Sequence, residues 1–232
     1  SLQSSYKNII VGNFISLSED IKNALIKRKN YIIYEHDHKY ISTRDPSKFV
    51  NFDIPKRNIV NKQFYENAQR VVVLSEVCKK ILTSCIPKAK VHNIGCSLWA
   101  PDTLNFIRRL QGVKKKEHYG ILKSSNPTKN FLKTKQMCIS KGVVPIELES
   151  SDYYEFLSLI NSCSAFVFIP TVLETFSRVC AEAQMLNTEV RTVRSLIGFY
   201  SEDYCDLTGS ALVDKISKKN DEAYKFFWSL II

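Results

Sequence analysis

The sequence predicts an α/β protein made of doubly wound parallel sheets, and three observations carry that expectation. Apolar strand-like runs alternate with amphipathic helical segments along the chain, the runs lack the period-two alternation of a half-solvated strand, and the alternation restarts after a break near residues 97–101. Strands covered by helices on both faces read as continuous apolar runs, and this is the pattern here. Two units of similar type are expected, residues 1–98 and residues 99–232.

The first unit opens with a strand over 7–14, KNIIVGNF, followed by an amphipathic helix over 18–29 with Ser18 as its N-cap. A short apolar strand, YIIYEHD, then delivers Glu35, His36, Asp37 and His38 to its C-terminal edge. Residues 39–61, polar and carrying Pro46 and Pro55, read as a long loop with one helical turn. The remainder is a helix over FYENAQ, a strand RVVVLS, a helix EVCKKILTS, a break at Pro87 and a strand KVHNIG.

The second unit repeats the alternation. A helix over 102–111 leads through a lysine run to the strand HYGILK, a loop of Ser, Asn and Pro, a helix over 129–140 and the strand VVPIELE. The helix DYYEFLSLINSC, the apolar strand AFVFIP, a helix opening near Thr175 and the strand TEVRTV follow. Residues 210–232 read as a terminal amphipathic helix with Phe226, Phe227 and Leu230 on its buried side.

Composition narrows the function classes. A hydrophobic content of 44% and a charged content of 24% are those of an ordinary globular protein. No apolar run approaches the ~20 residues needed to cross a bilayer. The first ten residues form no signal-peptide core, so a cytoplasmic location is expected. Seven cysteines, an odd count without a C-x-x-C pair, fit reduced core thiols better than a disulfide framework or a zinc site. The formal charge of +10 favours polyanionic partners: a phosphorylated small molecule, nucleic acid or an anionic membrane face. The short runs Lys27–Lys29 and Lys114–Lys116 read as solvated surface, with no interleaved aromatic residues for a single-strand binding platform.

Three segments carry chemistry. Ligands of doubly wound sheets sit at the carboxyl ends of the strands, where helix N-termini present bare amides to anions. In PTVLETFSRVCAEA, residues 170–183, Glu174 falls at or just before the expected helix start and Glu182 two turns farther in. Eight helical residues rise ~12 Å, about the span between a ribose and a sugar on the far side of a diphosphate. The amides of Thr175, Phe176 and Ser177 would then face the diphosphate. The spacing alone fits equally well a Glu174 that only favours a helix N-terminus and a Glu182 on an exposed helix face.

In KSSNPTKN, residues 123–130, Ser124, Ser125 and Asn126 are candidate donors, and Lys129 is expected in the first turn of the following helix. A cation there opposes the helix dipole unless an anion compensates it, and phosphate is the natural candidate. A turn with a solvated lysine is the alternative. In EHDHK, residues 35–39, two of the four histidines stand beside two carboxylates. His36 and Asp37 are candidates to orient a hydroxyl nucleophile or a sugar hydroxyl. A metal site would require a third ligand that the sequence does not specify, so none is expected. His92 and His118 read as structural.

These residues resemble the retaining GT-B glycosyltransferases of the glycogen-synthase-like and sucrose-synthase-like superfamily. PTVLETFSRVCAEA resembles that family's Pro, small residue, Glu, Phe and second Glu eight residues on, and PTKN its phosphate-loop segment. RVVVLSEVCKKIL with KVHNIG is similar to the end of its N-terminal domain, and IIYEHD to the strand ending near the donor sugar. The resemblance spans most of residues 31–202 and implies two Rossmann-like units with a cleft between them. It implies metal-independent transfer, with retention, from a nucleoside-diphosphate sugar such as a UDP- or GDP-sugar, with no other cofactor.

It further implies that Glu182 binds the ribose, Glu174 the donor sugar and Lys129 the departing diphosphate. His36 would contact the donor sugar, and Lys123 would supply a second cation. The acceptor class it favours is a saccharide or lipid-linked saccharide. A nucleic-acid acceptor and a non-catalytic binding module are the alternatives.

The chain departs from the pattern at three points. Asn130, Thr175 and Ser177 stand where the family has glycines, Gly12 is the only glycine in the first 94 residues, and the first unit is about half the usual length. Such a chain fits a fragment, a minimal enzyme or a polypeptide that acts with a partner.

Overall fold

Eight strands and eight α-helices alternate through residues 8–231, the part of the chain that the computed structural model describes. Lys7 of the expected first strand and Ile232 of the expected last helix lie outside those residues. The chain divides into two compact units. One runs to Cys96 and takes back the chain from Asp221; the other is Ser97–Asn220.

The first unit contains β1 (Ile9–Val11), α1 (Glu19–Arg28), β2 (Tyr31–Tyr34), α2 (Lys62–Glu66), β3 (Arg70–Val73), α3 (Glu76–Cys85) and β4 (Val91–Asn93). Ser18 caps α1 as expected by accepting from the Ile21 amide at 3.4 Å. Glu19 and Asp20 in the first turn and Lys27 and Arg28 in the last complement the helix dipole, and Lys29 closes the helix in the left-handed conformation. Residues 39–61 hold three 3-10 turns rather than one, and an antiparallel bridge between Ile41 and Ile59 closes the loop on itself.

The four strands pair in parallel in the order β1-β2-β3-β4. That order never reverses, so this sheet is wound one way and has no topological switch point, unlike the doubly wound sheet expected.

The second unit contains α4 (Pro101–Leu110), β5 (Lys116–Leu122), α5 (Phe131–Ser140), β6 (Ile146–Leu148), α6 (Tyr153–Ser162), β7 (Cys163–Phe168), α7 (Arg178–Met185) and β8 (Glu189–Thr192). Its sheet is also parallel, but the order is β6-β5-β7-β8. The chain steps from β5 to one side, then crosses back to the other, which makes this sheet doubly wound with its switch point between β5 and β7. Gly120 in β5 permits the close packing: a Cβ there would stand 2.6 Å from Leu148 Cδ1 and 2.9 Å from Cys163 Sγ.

Lys115, expected on a solvated run, is instead drawn inward at the opposite edge. Its ammonium donates to Asn161 O at 2.9 Å, Asn161 Oδ1 at 3.1 Å and Thr188 Oγ1 at 2.7 Å, and burial pulls its pKa below the usual lysine value.

Helix α8 (Gly209–Ile231) is shared. Its N-terminal part belongs to the second unit and its last residues to the first, so the expected assignment of all of 99–232 to one unit differs at this end. Tyr34, Val72 and His92 are register partners and project from one face of the first sheet. Phe226 stacks on His92 at 3.7 Å and Phe227 meets Tyr34 at 6.0 Å, so the helix returns to that face. All seven cysteines are free thiols, six of them buried. No helix among the described residues is long and apolar enough to cross a membrane.

Candidate functional site

The two loops that leave the C-terminal ends of β5 and β7 flank the switch point of the second sheet, and they are tied to each other. The Thr171 amide donates to Thr128 O at 3.0 Å and Asn130 Nδ2 donates to Ile169 O at 2.9 Å. Lys129 thereby meets Glu174: its ammonium donates to Oε1 at 2.7 Å and to Oε2 at 2.9 Å, while lying 5.8 Å from the centre of the Phe168 ring. An ammonium has three donors, and Glu174 takes two.

Local geometry differs from the sequence expectation in three ways. Lys129 ends a 3-10 turn, Pro127–Lys129, and precedes α5 rather than sitting in its first turn. Asn126 caps that 3-10 turn by accepting from the Thr128 amide at 3.0 Å. Helix α7 opens at Arg178 and not near Thr175, so Glu174 is not helical.

Instead Glu174 forms a parallel bridge with Ile197: its amide donates to Leu196 O at 2.9 Å and its carbonyl accepts from the Gly198 amide at 2.8 Å. The ~12 Å helical rise expected between the two glutamates therefore does not apply. The reason is local. Strand-like pairing of 174–176 with 196–199 satisfies these backbone groups, and Phe176 is buried against Trp99 and Phe199, at ring distances of 6.0 and 5.5 Å. The Phe176 side chain is thus a core anchor.

Among the described residues the amides of Arg178, Val179 and Cys180 are those left without a backbone acceptor, for the first amide of α7 that has one is Ala181, bonded to Ser177 O at 3.3 Å. Ser177 occupies the N-cap position at φ 69° and does not cap with its side chain. Its Oγ is buried with no nitrogen or oxygen partner among the described residues, and only the Cys180 thiol, a weak hydrogen-bonding group, lies beside it. Burial pushes the Cys180 thiol up to about 12.

Glu182, for which an exposed helix face was one expectation, is only 2% exposed. Its Oε1 accepts from Trp99 Nε1 at 2.9 Å, from the Tyr153 hydroxyl in a short bond and from Arg178 Nε at 3.4 Å. The Arg178 guanidinium lies over the Trp99 and Tyr153 rings, 4.9 and 5.5 Å from their centres, and its side chain is 44% exposed. Burial opposes its charge, but Glu182 and Tyr153 outweigh that and raise its pKa. Burial and the Glu182 carboxylate together push the Tyr153 phenol well above its ordinary value.

Sequence reasoning missed Trp99, Tyr153 and Arg178. Arg178 and Glu182 carry the i, i+4 signature of a helical ion pair, which was legible; the two aromatic residues reach the site only through tertiary packing.

Two other expected donors stand apart from Lys129. Lys123 is paired with Glu149 at 2.8 Å, a bond that raises its pKa, and Ser125 is exposed. Thr175 is half-buried between Glu174 and the Phe176 anchor.

In the first unit, His36 and Asp37 follow β2 and are both partly exposed, with Nδ1 and Oδ2 3.9 Å apart. Asp37 also accepts from Arg44 Nη2 at 2.5 Å, a partner the sequence did not suggest. The rest of EHDHK is closed off. Glu35 Oε1 accepts from the Asp37 amide at 2.8 Å and from the Lys39 ammonium at 3.2 Å, and its Oε2 takes a short bond from the Tyr65 hydroxyl. His38 is buried with Nδ1 3.1 Å from the Tyr40 hydroxyl. Among the described residues no group of three or more His, Cys, Asp or Glu side chains is placed to hold a metal ion. No known protein-family model matches this chain, and no curated protein matches it either.

Proposed function

We propose that the second unit binds the diphosphate of a nucleoside-diphosphate sugar and that the chain is a retaining, GT-B-like glycosyltransferase. The observation that carries the reading is the switch point between β5 and β7, where Lys129, the first-turn amides of α7 left without a backbone acceptor and the buried Ser177 Oγ accompany Glu174. An anion at a helix N-terminus is stabilised by such amides, and a fixed cation neutralises charge that develops on a leaving diphosphate.

In this reading Lys129 keeps two donors on Glu174 and turns its third to a phosphate oxygen. Glu174 then addresses the donor sugar, and Glu182 the ribose through Oε2, since the bonds to Trp99, Tyr153 and Arg178 all fall on Oε1. The bond between the anomeric carbon and the diphosphate breaks, the acceptor hydroxyl oxygen bonds to that carbon on the same face, and the hydroxyl proton passes to an oxygen of the departing diphosphate. In the first unit, taken by itself, the partly exposed His36 beside Asp37 keeps the reading of an imidazole that orients a hydroxyl.

A second observation supports the resemblance. Asn130 and Ser177, two of the positions where the family carries glycine, adopt left-handed backbone at φ 57° and 69°. Glycine is the residue such positions favour, and asparagine is the commonest substitute.

Calorimetry of the chain against UDP- and GDP-sugars tests the proposal. Binding by at least one donor, weakened more than tenfold by Glu182→Ala, is the expected result. Binding without turnover would leave the non-catalytic alternative. Binding of DNA or RNA that falls steeply with salt, with no response to any nucleotide sugar, would favour a nucleic-acid partner.

A further inference from the structure

The Arg178 guanidinium is held in place by its neighbours and still has donors to offer. It lies over the Trp99 and Tyr153 rings, 4.9 and 5.5 Å from their centres. It donates to Glu182 Oε1 from Nε at 3.4 Å, to Leu98 O from Nη1 at 3.3 Å and to the Tyr153 hydroxyl from Nη2 at 2.9 Å. A guanidinium carries five N–H groups, so one on Nη1 and one on Nη2 are left without a partner among the described residues. The side chain is 44% exposed, which opens it to a ligand on its solvent side.

The surroundings favour a neutral ligand group there. Glu182 already balances the guanidinium charge, and Asp152 at the N-cap and Glu155 in the first turn of α6 flank Tyr153. A further phosphate would meet net negative charge, whereas a neutral group with lone pairs would not. Position narrows the choice. Of the three side chains bonded to Glu182 Oε1, Trp99 is 1% exposed, so Tyr153, at 37%, and Arg178 are the two that border Glu182 on the solvent side.

We propose that Arg178 reads the base of the donor nucleotide and that the base it selects is guanine. The inference rests on the reading of Glu182 as the ribose ligand: a ribose on its Oε2 has its base one bond away, against Arg178 and Tyr153. Two donors on neighbouring nitrogens of a planar fork match two neighbouring acceptors, and guanine offers O6 beside N7. Uracil flanks O4 with an N–H and a C–H, and adenine sets an amino donor beside N7. Cytosine pairs O2 with N3, so its diphosphate separates a guanine site from one that takes any acceptor pair. The Trp99 and Tyr153 rings orient the fork before the ligand arrives, so little side-chain freedom is lost on binding.

The test is calorimetric titration of the full chain with GDP, UDP, CDP and ADP, together with two analogues of GDP. GDP should bind about tenfold or more tighter than the other three. Inosine diphosphate, which keeps O6 and N7 and lacks only the 2-amino group, should bind like GDP. The 7-deaza analogue, which lacks the N7 acceptor, should bind about fivefold or more weakly. Arg178→Lys keeps a cation beside Glu182 but not the fork, and should remove most of the preference for GDP over UDP.

UDP or CDP binding as tightly as GDP, and weakened by Lys129→Ala, would leave the diphosphate site standing and overturn the guanine assignment. So would full affinity for the 7-deaza analogue, or a GDP preference that survives Arg178→Lys. Absence of binding by every nucleotide would remove the ribose reading and this inference with it.

Discussion

Both units bury a glutamate against a tyrosine hydroxyl and a cation, yet they do so to opposite ends. In the first, Glu35, Lys39 and Tyr65 lie in a sheet whose strand order never reverses, and the Lys39 and Glu35 side chains are 1% and 2% exposed. In the second, Glu182 is equally buried, but its cation Arg178 reaches solvent, and it stands at the start of a helix beside a topological switch point. A glutamate, a tyrosine and a cation make a sealed structural group in the sheet without a switch point and a partly accessible cluster in the sheet that has one. Strand order separates the two cases, together with the exchange of a lysine, Lys39, for an arginine, Arg178.

That contrast is most exposed at the glutamates themselves. Glu35→Ala leaves the Lys39 charge buried without a partner, and removal of one member of such a pair costs about 3–5 kcal/mol. Glu182→Ala lets Arg178 turn to water and strands mainly the Trp99 and Tyr153 donors, a loss of about 1–3 kcal/mol. Urea unfolding of the two variants should therefore rank Glu35→Ala well below Glu182→Ala. The reverse order would mean that Glu182 is the structural residue of the two.

Alkaline pH sharpens the comparison next. Burial raises Cys180 in the second unit from 9.0 to about 12 and Cys85 in the first from 9.0 to about 11. A thiol raised on folding contributes stability that is complete below pH 9 and lost as pH rises through its folded value. Each such group steepens the loss by up to about 1.4 kcal/mol per pH unit. Cys180→Ala should flatten the alkaline decline over a wider pH window than Cys85→Ala, as measured by unfolding at a series of pH values.

Backbone strain gives the smallest effect. Ser177 holds φ 69° and its hydroxyl has only the weak Cys180 thiol beside it, so Ser177→Gly should gain up to about 1 kcal/mol. Asn130→Gly should gain less, because Asn130 Nδ2 bonds Ile169 O. A melting temperature that falls in Ser177→Gly would show that its hydroxyl is engaged.

Much of the fold was legible because it follows from local pattern. Ser18 as an N-cap, the apolar runs of all eight strands and the break before Pro101 follow from chain-local chemistry. Strand order did not follow, since β1-β2-β3-β4 and β6-β5-β7-β8 arise from similar alternations and differ only in which way the chain crosses. The site was legible in parts. Lys129 and Glu174 were singled out separately on loops 45 residues apart and meet at 2.7 Å. The start of α7 was misplaced because TFS has ordinary helical propensity, and only the pairing with Leu196 and Gly198 draws it into extended backbone. Trp99 and Tyr153 gave no signal, since aromatic residues usually fill cores and only their N–H and O–H at Glu182 mark these two.

The switch point's proposed role as a diphosphate site is tested most directly by calorimetric titration of UDP and GDP into the wild-type chain and Lys129→Ala, with both first shown to be folded. The account predicts that one nucleotide binds the wild type and that Lys129→Ala weakens it about tenfold or more, as expected for loss of a charge-assisted bond. Equal affinity in both proteins, or no binding of either nucleotide to the wild type, would contradict it.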